Sequence, residues 1–126
     1  ALGLVPESVI GEAVELEPLL LFAIAGLSIV LVAPAEEYLF RGVVQGRLRQ
    51  SFGPVGAIAG SSLLFGSMPL ANYTGEPGAV VAGALLIAST GTVLGILYEL
   101  TDNLTVPIVA HALYNVILSV LAFATL

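Results

Sequence analysis

Residues 33–42, APAEEYLFRG, place two adjacent carboxylates and an arginine in a chain otherwise built for hydrocarbon. Of its 126 residues 58% are hydrophobic and 10% charged, and the mean hydropathy is +1.07, well outside the range of water-soluble domains. Working outward from Glu36, Glu37 and Arg41, four stretches carry almost no charge: 18–35, 50–75, 77–98 and 103–126, the last with His111 as its one acidic or basic side chain apart from the phenol of Tyr114. Each is long enough to cross a hydrocarbon core of about 30 Å as a helix rising about 1.5 Å per residue. None alternates with period two, which excludes barrel strands. The expected fold is an all-α polytopic membrane bundle of about four transmembrane helices. It forms one domain over 1–126, with an acidic juxtamembrane segment at 1–17 and a four-helix core at 18–126.

The punctuation of the chain agrees with that division. Pro34 is expected to bend or break the first helix, because proline removes a backbone donor. Residues 36–50 then read as a helical continuation that becomes amphipathic toward Arg47 and Arg49, ending at Gly53 and Pro54. A second helix covers about 54–69, a turn-rich loop holds Asn72, Gly75, Pro77 and Gly78, a third helix runs over about 78–100, and a fourth begins near Leu104 with Pro107 in its first turn. Gly56/Gly60 and Gly91/Gly95 each put two small residues on one helical face, where backbones can approach.

Charge and cysteine usage narrow the function. There is no cysteine, so disulfides, thiol catalysis and thiolate metal sites are excluded. There is no lysine, and the three arginines, 41, 47 and 49, follow the first apolar run, which orients residues 41–52 toward the cytoplasm and 70–78 to the other side. A net charge of −6 disfavours nucleic acid as a partner. Residues 1–17 lack the basic start of a signal peptide; with Glu7, Glu12, Glu15 and Glu17 between Pro6 and Pro18 they suit an acidic interfacial segment. The chain begins without Met and reads as a fragment that further spans can flank.

Glu37 and Arg41 stand four apart with the acid first, the favoured order for an ion pair on one helical face, whereas Glu36 lies about 100° away with no such partner. Taken alone this is a neutralised pair beside a hydrated glutamate. The fourth helix adds a second polar set, His111 and Asn115, also four apart. Ionisable groups inside a membrane face a protein interior or an aqueous cavity and mark function.

EExxxR (Glu36, Glu37, Arg41) followed by HxxxN (His111, Asn115) resembles the CPBP family of intramembrane proteases, which contains the CAAX prenyl proteases and bacteriocin-processing enzymes. The resemblance covers about 33–115. It implies an endopeptidase in which Glu36 is the general base, Glu37 and Arg41 a supporting pair, and His111 and Asn115 the oxyanion donors. The family's middle motif, FxxxH, has a water-activating histidine; here Phe65 matches and Pro69 stands in the histidine's place. The implied substrate is a membrane-associated or prenylated peptide, with membrane lipid as the other partner and a prokaryotic plasma membrane as the location. The family's metalloprotease label allows a divalent metal, but zinc catalysis normally takes three protein ligands and the chain has one histidine, so no cofactor is expected. No serine sits in a nucleophile context.

Two other readings compete. A catalytically impaired relative that binds membrane partners is favoured by Pro69; a small transport or scaffold bundle explains the buried polar groups but not their order. Helix counting leaves a discrepancy. Glu36 and position 69 lie roughly 21–24 Å from the turn at Gly53, whereas His111 lies only about 12 Å from Asn103 on the same side. Tilt, a kink at Pro34 or a re-entrant loop is expected to supply the difference.

Overall fold

The computed structural model describes residues 7–8, 15–71 and 73–125, so most of the expected acidic interfacial segment lies outside the described residues. One helical run, Leu20–Ser67, is interrupted at Gly53, whose φ of 72° and ψ of −176° belong to backbone essentially restricted to glycine. The interruption divides the run into α1 (residues 20–52) and α2 (residues 54–67), the latter extended by a 3₁₀ turn, Met68–Ala71. Helices α3 (Pro77–Thr101) and α4 (Thr105–Ala124) complete the four helical segments. Leu20–Ser67, α3 and α4 are each long and apolar enough to cross a membrane.

The helix does not break at Pro34. It loosens into π-helical geometry over Ser28–Val32, returns to α over Ala33–Glu37 and loosens again over Tyr38–Gln45. Local π adjustment is how a membrane helix accommodates the donor that proline lacks. The EExxxR segment thus starts in a short α stretch held between two wide ones.

Side-chain register defines the packing. Phe40 meets Phe65 and Gln45 meets Ser61, so α2 returns antiparallel along the second half of α1. Arg41, Gln45 and Arg49 bond to Gly91, Gly95 and Glu99, always 50 positions on, so α3 runs parallel to the same half. Phe22 packs on Phe123 and Glu37 on His111, so α4 runs antiparallel to the first half. Outside the helices, Glu7–Ser8 pairs antiparallel with Tyr73–Thr74 in the loop between α2 and α3.

At about 50 Å, α1 is longer than the hydrocarbon core is thick, and its end carrying Arg47 and Arg49 runs on past the start of α4 while still paired to α3 through Arg49 and Glu99. This removes the depth discrepancy. A Cβ on Gly42 would lie 3.5 Å from Leu104 Cδ1, so α4 begins alongside Gly42, well short of Gly53. Glu36 and His111 are six and seven residues from that shared level, which matches them in depth.

The chain is inside out relative to a soluble protein. Its largest fully buried side chains are Arg41, Gln45, Glu37, Pro107 and Ser61, while Val30, Leu31, Leu85, Leu86, Val93, Leu113 and Ile117 face outward. Lipid is as apolar as leucine, so helices associate in it through close packing of small residues and interhelical hydrogen bonds. Gly66 illustrates the packing: a Cβ there would lie 2.6 Å from Ala88 Cβ and 2.8 Å from Ala84 O. The α3–α4 turn is set by Asp102, left-handed at φ 48°, whose N–H bonds to Tyr98 O, and by Asn103 Oδ1, which accepts the Thr105 N–H.

Candidate active site

Glu37 lies at the junction of α1 and α4 and is completely buried. Its Oε1 is 3.2 Å from Arg41 Nε, an ionic contact without an aligned hydrogen bond, and its Oε2 is 2.9 Å from His111 Nδ1. The i,i+4 pair expected from the sequence is therefore present, but it is half of a larger arrangement: Glu37 joins Arg41 to the histidine. Because a carboxylate only accepts, the 2.9 Å contact places the Nδ1 proton on His111 and leaves Nε2 facing away from Glu37. Nε2 is 3.7 Å from Glu36 Oε2. Glu36, without a partner on its own helix, thus finds one on α4.

The two glutamates differ in access. The Glu37 side chain is 0% exposed and that of Glu36 is 27% exposed. Successive residues of a helix point about 100° apart, so one carboxylate is sealed against α4 and the other reaches the second ring nitrogen of the same histidine.

Arg41 is anchored on its far side, donating from Nη2 to Gly91 O at 2.9 Å. Its guanidinium lies over the Phe65 ring, 5.2 Å from the centroid. Phe65 also makes edge contacts with Phe40, at 5.2 Å between centroids, and with His111, at 5.6 Å. The phenylalanine of the FxxxH pattern is therefore the apolar wall against which Arg41 and His111 are both set. Pro69 lies in the 3₁₀ turn that begins three residues after Phe65.

Asn115 is one turn beyond His111 and lines an open groove of about 290 Å³ with Ile24, Val32, Leu118 and Ser119. Its backbone carbonyl accepts from Ser119 Oγ at 2.8 Å. Of the five residues singled out by sequence, Glu36, Glu37, Arg41 and His111 form one contact cluster, with Asn115 on the adjoining turn.

Sequence reading missed Gln45. It is fully buried, donating to Gly95 O and Glu99 Oε1 and accepting from Ser61 Oγ. The available signal was its spacing: Arg41, Gln45 and Arg49 recur every four residues opposite Gly91 and Gly95.

For metal, the donor set is short. No group of three or more His, Cys, Asp or Glu among the described residues is arranged to hold an ion, and His111 Nδ1 is committed to Glu37. Glu36 and His111 Nε2 offer two ligands, fewer than a tight catalytic zinc site uses.

The family model for type II CAAX prenyl endopeptidases, Rce1-like, matches residues 18–117, which includes every site residue above. The chain belongs to the Rce1-like family. No curated protein and no solved structure matches it. The Rce1-like match confirms the resemblance read from EExxxR and HxxxN, and with three span-capable helices it makes this an integral membrane protein of the CAAX-protease kind.

Proposed function

We propose that this Rce1-like chain is an intramembrane endopeptidase in which Glu36 activates water against a peptide bond of a membrane-associated or prenylated substrate. The observation that carries the reading is the unequal access of two adjacent carboxylates around one histidine: Glu37 sealed, Glu36 partly open. A general base has to reach water and substrate, while a residue that orients a catalytic imidazole is best held rigid.

In this mechanism Glu36 takes a proton from water as the water oxygen adds to the carbonyl carbon. The negative charge that develops on the carbonyl oxygen is met by His111 and Asn115, and Glu36 returns the proton to the amine as the C–N bond breaks. His111 donates from Nε2 only when that nitrogen carries a proton, since Nδ1 is engaged with Glu37. Arg41 balances the charge of Glu37 from behind. Oxyanion donors act most strongly where water is scarce, as between these helices.

The membrane supplies the second partner, and a prokaryotic plasma membrane is the proposed setting. The decisive experiment is cleavage of a prenylated peptide by the purified chain in lipid, compared with Glu36→Gln. A second reading, a binding protein with impaired catalysis, rests on Pro69 and predicts peptide binding without cleavage in both proteins.

A further inference from the structure

We infer that Gln45, outside both motifs and about 14 Å along α1 from Glu36 by residue count, is a positioning residue for the Glu36–His111 centre. The inference rests on the catalytic reading of that centre but concerns how its geometry is held. Gln45 is the one fully buried amide side chain among the described residues, and it joins three helices. Its Nε2 donates to Gly95 O at 3.1 Å and to Glu99 Oε1 at 3.2 Å on α3, and its Oε1 accepts from Ser61 Oγ at 3.4 Å on α2. The space is made for it: a Cβ on Gly95 would lie 3.0 Å from Gln45 Oε1.

Gln45 is the middle rung of a ladder. One turn toward the site Arg41 bonds to Gly91 O, and one turn away Arg49 bonds to both oxygens of Glu99, at 3.1 and 2.9 Å. All rungs share the 50-residue offset, so together they set how far α1 slides along α3 and how it is turned about its own axis. The three are unequal. Arg49 is 57% exposed and its ion pair with Glu99 is weakened by water, whereas Gln45 is sealed. An amide in that setting has to find its bonds within the bundle, and it finds them only at one rotation of α1.

That rotation matters because the segment bearing Glu36 and Glu37 is followed immediately by π-helical backbone, Tyr38–Gln45, whose geometry local bonding leaves less determined. Gln45 is the last residue of this wide segment. By fixing its end against α2 and α3, the amide determines where Arg41, Glu37 and Glu36 point at its beginning. Interhelical hydrogen bonds in membranes contribute modestly to stability, so the consequence of the clamp is alignment. A displacement of about 1 Å in a catalytic group costs up to about a hundredfold in rate.

His111 is the only histidine in the chain, so ¹⁵N-histidine labelling gives one imidazole to observe in the full chain in lipid or detergent. In Gln45→Leu the His111 Nδ1 resonance is expected to move although residue 45 does not touch the ring. On a cleaved prenylated peptide, kcat is expected to fall about tenfold or more with KM within about twofold. Ser61→Ala, which removes only the longest of the bonds, is expected to change both less than Gln45→Leu does, and an equal or larger change would contradict the central place of the amide. A folded Gln45→Leu with an unmoved His111 resonance overturns the inference, whatever happens to kcat. Should Gln45→Leu not fold, Glu99→Leu, which removes one acceptor, has to move the same resonance in a smaller shift, and an unmoved one refutes the inference equally. The spectroscopic arm needs no turnover, so absence of peptidase activity would count against the proposed function and leave the positioning role judged on the resonance.

Discussion

Glu37 and His111 are 74 positions apart and on different helices, yet Glu37 Oε2 lies 2.9 Å from His111 Nδ1, and the carboxylate is completely buried. This contact joins the two halves of the motif pair into one centre and separates the roles of neighbouring glutamates. Glu36→Gln is expected to lower turnover by about 10²–10⁴ with folding retained, since its side chain is partly open and holds no buried charge in place. Glu37→Gln is expected to destabilise the bundle by about 3 kcal/mol, because Arg41 then remains buried without its counter-charge. Peptide cleavage and thermal unfolding in detergent, measured on both variants, check the division; matching effects on the two assays would refute it.

Pro69 has no side-chain donor or acceptor, so on the proposed reading Glu36 acts without the histidine that the FxxxH resemblance implies. Pro69→His is expected to raise peptidase activity by at least about tenfold, and the gain is expected to vanish when Glu36→Gln is added. A correctly folded Pro69→His with unchanged activity would shift the reading toward the binding protein.

The glycines divide by what a methyl group would strike. At Gly66 a Cβ meets Ala88 Cβ and the Ala84 carbonyl below 3.0 Å, and backbone cannot step aside, so Gly66→Ala is expected to cost about 1–3 kcal/mol. Gly46, helical and with nothing within 4 Å, is the control: Gly46→Ala is expected to be neutral or stabilising by up to about 1 kcal/mol. Unfolding midpoints that rank the two variants the other way would contradict the α2–α3 packing.

Up-down-up-down topology puts Gln50 and Asp102 at one end of the bundle and Glu76 at the other. Single cysteines at these exposed positions, introduced into a chain that has none, are expected to label from opposite sides of sealed vesicles, with 50 and 102 together. By the charge bias of Arg47 and Arg49, the 50/102 end is expected to label from the cytoplasmic side. Labelling of 50 and 76 from the same side would remove the four-pass arrangement.

Much of this protein is written in local sequence. Uncharged runs of about 20 residues can be satisfied in lipid only as helices, so helix number, approximate limits and membrane residence follow from composition and length alone. Turn chemistry at Gly53 and at Asp102–Asn103 is equally local, and the spacing of EExxxR and HxxxN carries the family. At Pro34 the outcome depended on whether the surrounding helix can widen: the helix does not break, and α1 takes π geometry on both sides of Glu36 and Glu37.

Tertiary structure decided the rest, because each remaining question turned on the depth and rotation of one helix against another. Sequence spacing pairs Glu37 with Arg41; only the antiparallel seating of α4 gives Glu37 its second partner and sets Glu36 beside His111. Spacing marks Gly91 and Gly95 as small; only the parallel offset of α3 shows that their carbonyls receive Arg41 and Gln45. The physical reason lies in the solvent. Lipid rewards an apolar exterior whatever the register, so hydropathy specifies which segments cross the membrane, while the few buried polar groups, which must all find partners, specify how those segments meet.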